Sequence, residues 1–211
     1  MNVEFKAADI AKIRSDLANI KNGYQKVIVT SINKTANTAK VQSKARIGNE
    51  LNLPAKRIDK DLTVNKANYS NMSGSLVSKG NPVGLISFSS IQKEAGISVK
   101  VLKTGARKLI KHTFIEKGND NTGTLHMYMR EYTWGFGAPG KIYSRGKRHP
   151  RAGWSRMPVK YSYKLRRLTG PRIEDFFAKD QIINPVTIQA NKLLGDTANK
   201  QMLEVIRRSN L

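Results

Sequence analysis

The chain has 211 residues, with 38 lysines and arginines against 15 aspartates and glutamates, a formal charge of +23 at neutral pH. It contains no cysteine, which excludes a disulfide framework and any thiolate metal site and fits a reducing compartment. No apolar run approaches the ~20 residues of a membrane span, and the opening Met-Asn-Val-Glu-Phe-Lys lacks the apolar core of a secretion signal, so the expectation is a soluble protein made in a cytosol.

Asp9 stands ahead of Ile10, Ile13, Leu17 and Ile20, a helical stripe with a capping candidate at its head. Asn22-Gly23 is the expected close of that helix. A second helix is predicted from about Tyr24 to Gly48, on a thin stripe of Ile28, Ile32, Thr35, Ala36, Ala39 and Val41. A helix so lightly apolar over ~25 residues seldom packs on one compact core alone. Pro54 suits a first helical turn, and a short helix follows through Ala55–Asp59.

The apolar period then changes to two. Leu62, Val64, Leu76, Val77, Val83, Ile97, Val99, Val101, Leu109 and Ile110 fall in short runs between Gly, Asn and Pro. Four to six antiparallel strands are predicted between about 61 and 130. The best hairpin joins 97–102 to 107–115 across Thr104-Gly105, and Leu125, Met127 and Met129 mark a last, half-buried strand. Ile173–Ala178 reads as a short helix after Gly170-Pro171. A final helix runs from about Asn184 to Ser209, with Pro185 in its first turn and a stripe of Val186, Ala190, Leu193, Leu194, Ala198, Leu203 and Ile206.

Between Glu131 and Glu174 the chain carries eleven lysines and arginines and no acid. Lys141, Arg145, Lys147, Arg148, Arg151, Arg156, Lys160, Arg166 and Arg167 are interleaved with rings such as Trp134, Tyr143 and Trp154. Like charges crowd at a cost, so a stretch of one sign points to opposite charge supplied from outside, by a polyanion or an acidic protein surface. Its glycines and prolines mark a long loop or arm. Basic and aromatic residues together can track phosphates and stack on bases, and Tyr, Trp and Arg also dominate protein interfaces. The candidate interface or DNA-facing residues are Lys141, Arg145, Lys147, Arg148, Arg151, Trp154, Arg156, Lys160, Arg166 and Arg167.

Nothing in the sequence converges on catalysis. His112, His126 and His149 have no second ligand at helical or hairpin spacing, and the acids scatter. Gly135-Phe136-Gly137 lacks the strand and helix that a phosphate cradle requires. The expectation is a non-enzyme with no cofactor, metal site or small-molecule substrate.

Several stretches, in order, resemble the minor tail protein Z family, the tail-completion proteins of long-tailed bacteriophages. They are Ser31-Ile32-Asn33-Lys34-Thr35-Ala36, Leu53-Pro54-Ala55-Lys56-Arg57-Ile58, Val83-Gly84-Leu85-Ile86-Ser87-Phe88, Gly96-Ile97-Ser98-Val99-Lys100-Val101 and Arg167-Leu168-Thr169-Gly170-Pro171-Arg172. The resemblance spans roughly 25–115 and 165–200, and this chain departs from it at about 118–165. It implies a virion subunit at the head–tail junction and supplies no catalytic residues to carry over.

The combined expectation is one α+β domain. It has a helical region at 1–50 with a long N-terminal helix, a β-rich core with a central antiparallel sheet at 51–130, a basic aromatic arm at 131–165 and C-terminal helices at 166–211. The lean core (39% hydrophobic residues) and the resemblance suggest a homo-oligomer, a ring of six copies in a phage neck, meeting connector and tail-terminator subunits, with viral DNA as a further candidate contact. The rival expectation is a non-enzymatic, sequence-independent nucleic-acid-binding protein.

Overall fold

The computed structural model describes residues 1–18, 20, 22–118, 123–131 and 164–209. Helix α1, Ala7–Asp16, starts from Lys6, which makes no side-chain capping bond, and Asp9 lies in its first turn instead of at the cap. A carboxylate there still faces the positive end of the helix dipole. The chain leaves the helix at Leu17, before Asn22-Gly23. Asn22 does take the left-handed conformation, with φ 58°, but it heads the next helix, α2, Gly23–Glu50.

Helix α2 buries Val27, Ile28, Ile32, Thr35, Ala36, Ala39 and Ile47. Val41, placed on this stripe from the sequence, is 58% exposed; it sits about 200° around the helix from Ala39, and Ser43 takes the buried position. Ser43 hides its hydroxyl by donating to Ala39 O at 2.8 Å. Helix α3, Ala55–Lys60, starts from Pro54. Helix α4, Ile173–Phe177, follows Arg172.

Helix α5, Asp180–Ser209, begins four residues before the expected start, so Pro185 lies inside it. The missing Pro N–H costs one bond near the helix head, where Lys179 O already receives both Ile182 N and Ile183 N at 2.9 Å. Val186, Ala190, Leu194 and Ala198 are buried as the stripe predicts, whereas Leu203 is exposed.

Helix α5 runs antiparallel along α2. Lys179 pairs with Glu50 at 2.8 Å where the two helices meet at one end. There Ala39 and Ile47 share a core with Val186, Ala190, Phe88, Ile97 and Met127. Toward the other end Val27, Ile28 and Ile32 share a second core with Leu194, Ala198, Ile13 and Leu17. The thin stripe is thus spread over two cores, neither of which the helix fills alone.

The α+β class is as expected, and the strands are divided among three small antiparallel sheets. The first has the order β1 (Asn2–Val3), β3 (Gly74–Ser78), β2 (Leu62–Asn65). The second is β4 (Ile91–Lys93), β5 (Gly96–Val99), β6 (Lys108–Lys111), and the third is β7 (Thr113–Lys117), β8 (Leu125–Glu131), β9 (Lys164–Arg167). The predicted hairpin is present, with Ile97 opposite Ile110. It ends at His112, whose φ of 60° turns the chain out of the second sheet and into the third.

Two residues hold this corner. Thr113 is buried; its hydroxyl donates to Ile110 O at 2.7 Å and accepts Ile97 N–H at 2.9 Å. Gly96 has φ +146°, and a Cβ there would run into the Ile110 carbonyl oxygen. Only glycine accepts both the dihedral and the close approach.

Candidate functional site

The third sheet carries the ends of the basic aromatic segment. Strands β8 and β9 pair antiparallel with Tyr128 opposite Arg167, Met129 opposite Arg166, Arg130 opposite Leu165 and Glu131 opposite Lys164. The chain therefore leaves at Glu131 and returns at Lys164 on ladder partners. Residues 132–163, which hold seven of the eleven cations and no acid, are clasped at both ends by one two-stranded stem.

Arg166 and Arg167 are the two candidate residues within the described strands, and both are exposed. The register separates them. Directly opposed residues of an antiparallel pair share a face, and successive residues alternate. Arg167 shares its face with Tyr128 and, one strand further, Phe114, whereas Arg166 shares the opposite face with Met129 and Thr113. The neighbouring arginines therefore do not form one patch. Lys141, Arg145, Lys147, Arg148, Arg151, Trp154, Arg156 and Lys160 lie outside the described residues.

The row Phe114–Tyr128–Arg167 places two half-buried rings beside a guanidinium. The Phe114 and Tyr128 ring centroids are 6.2 Å apart at a tilt of 34°, and His126 meets Tyr128 edge-on at 6.1 Å. Rings flanked by a cation can stack a flat base or pack against an aromatic or carboxylate surface of another protein. The rings singled out in the sequence were those of the basic segment, and this set on β7 and β8 was missed. The signal available was His126-x-Tyr128 on one face of a strand opposite Phe114.

The second sheet adds further positive charge. Ile91, Ser98 and Leu109 form one cross-strand row, and Lys93, Gly96 and Lys111 form the next row on the same face. Ile91 and Leu109 are 49% and 43% exposed. Arg107 has a structural task beside them: its guanidinium donates to Ser89 O at 2.6 Å and to Ser98 O at 3.1 Å, pinning the loop before β4 to β5.

Two carboxylates near α3 are explained by local pairing. Asp59 receives Lys40 and Lys44, each at 3.3 Å, and the lysine hydrogen bonds hold its carboxyl below the usual aspartate range. Asp61 is buried and bound by Arg57 at 2.7 Å. His112 is the exposed corner residue and His126 is buried. Among the described residues no group of three His, Asp or Glu is placed to hold a metal ion, and no helix is long and apolar enough to cross a membrane. No family model, curated protein or solved structure matches the chain.

Proposed function

We propose that this protein is a structural subunit of a tailed-phage virion, completing the tail at the head–tail junction as a member of a ring. The observation that carries the proposal is the stem, in which a segment of one charge sign is tied at both ends to a sheet. That arrangement suits contact with a neighbour better than chemistry within the chain. Its binding groups are the cations and rings of residues 132–163, supported at the stem by Arg167, Tyr128 and Phe114. The ordered resemblance to minor tail protein Z supplies the setting, and two lean cores strung along one helix pair suit a subunit that draws part of its stability from its neighbours. Connector and tail-terminator subunits are the partners, with viral DNA as a second polyanion within reach.

The test is replacement of Lys147, Arg148 and Arg151 by alanine together. The expected result is normal folding, free heads and unjoined tails, and a drop in infectious particles. An unchanged yield of infectious particles refutes the role given to the segment. If the purified chain instead binds DNA with an affinity that falls steeply with salt and never enters particles, it is a free nucleic-acid-binding protein.

A further inference from the structure

A groove runs between the N-terminal segment with α1 and the second half of α5. Ile13, Leu194 and Ala198 form its apolar floor, all belonging to the second core. On its walls Glu4, Asp9 and Asp16 outnumber Lys6 and Lys12, in a chain whose overall balance is +23. Among the described residues none of these three carboxylates takes part in an ion pair.

Gly195 lines the same groove in the interior of α5. Glycine there weakens a helix relative to alanine, and among the described residues nothing requires it. A Cβ at Gly195 would meet no atom within 4 Å, and no positive φ is recorded for it. A bare helix backbone facing an open groove is what the close approach of another chain would require.

We propose that this groove is the docking site for the basic aromatic segment, residues 132–163, of a second copy of the chain. The segment brings seven cations and no acid to carboxylates that form no ion pair among the described residues, and Trp134, Phe136 and Trp154 to the apolar floor. The stem of the segment belongs to the first core, through Met127, and the groove to the second. The contact is thus heterologous, one surface of each copy meeting a different surface of the next, and contacts of this kind close into rings when the rotation permits. The inference rests on the self-association in the function proposed above and not on the virion setting.

The experiment uses two full-length variants, Gly195→Leu to fill the groove and Lys147→Glu/Arg148→Glu/Arg151→Glu to reverse the segment. Sedimentation velocity should show each variant alone self-associating at least about tenfold more weakly than the unmodified chain, a loss of roughly one decade in Kd. Mixed, the two should form a 1:1 pair and stop there, because one intact segment then meets one intact groove. A second groove variant, Asp9→Lys/Asp16→Lys, should behave as Gly195→Leu does, with circular dichroism melts verifying that each variant is folded. Two unassociated monomers in the mixture, or an unmodified chain that is monomeric at high concentration, overturns the inference. A 1:1 pair formed by a chain that never enters phage particles keeps the groove and removes the virion reading.

Discussion

The corner between the second and third sheets can be tested by one hydroxyl. Thr113→Val keeps the shape of the side chain but removes the group standing between Ile97 N–H and Ile110 C=O. Ile97 and Thr113 are buried, so the Ile97 N–H gains no water partner in exchange, while the Ile110 carbonyl is only partly buried. Leaving a buried donor or acceptor unmet costs about 1–3 kcal/mol each, and the added methyl returns about 0.8 kcal/mol of burial. The expected loss is about 1–5 kcal/mol. Thr113→Ser retains both hydrogen bonds and loses one methyl, for about 1 kcal/mol. Urea unfolding of the two variants should place serine well above valine in midpoint at similar slopes. If valine equals or exceeds serine in stability, the hydroxyl is not what holds the corner, and the account of how the third sheet is positioned is wrong.

Other residues supply independent tests. Thr35 is buried with its hydroxyl unpartnered among the described residues, so Thr35→Val should be neutral or stabilise by about 1 kcal/mol in the same urea assay. Arg107→Lys should cost about 1–2 kcal/mol, because a lysine has no counterpart to Nη2, which donates to Ser89 Oγ at 3.3 Å while Nη1 reaches Ser89 O and Ser98 O. The carboxyl of Asp59 is depressed in the folded state, so its contribution to stability is present above the unfolded value of about 3.9 and is lost as pH falls through the lower folded value. Asp59→Asn should therefore flatten the acid limb of a stability–pH curve below that unfolded value and leave its slope near neutrality unchanged.

The long elements were legible because their signal is local and repeated. The stripes of α2 and α5 recur over many turns, and the Ile97–Ile110 hairpin follows from two apolar runs on either side of Thr104-Gly105. The errors concern features set by tertiary context. Pro185 looked like a helix start, yet α5 tolerates it in its interior because the lost bond lies near the head of the helix. Asn22-Gly23 has the chemistry of a helix end, and the chain uses its left-handed residue to open the next helix. The division into three sheets depends on a histidine at positive φ, a choice no propensity announces. At the candidate site the charge run was plain in the sequence. The opposite facing of Arg166 and Arg167 was not, because the sequence placed them where the arm gives way to helices, whereas Lys164–Arg167 forms a strand paired with β8.

The pairing of Glu131 with Lys164 has a consequence for how this molecule can vary. Since the two ends of the intervening stretch are already neighbours, the scaffold is nearly indifferent to what is spliced between them; each doubling of a flexible insert costs only about 0.6 kcal/mol in closure entropy. A tight Asn-Gly turn could replace the whole stretch and leave a simple hairpin. Partner choice could thus be rewritten at that port, by exchange of one cassette, while the helices and their cores stay as they are.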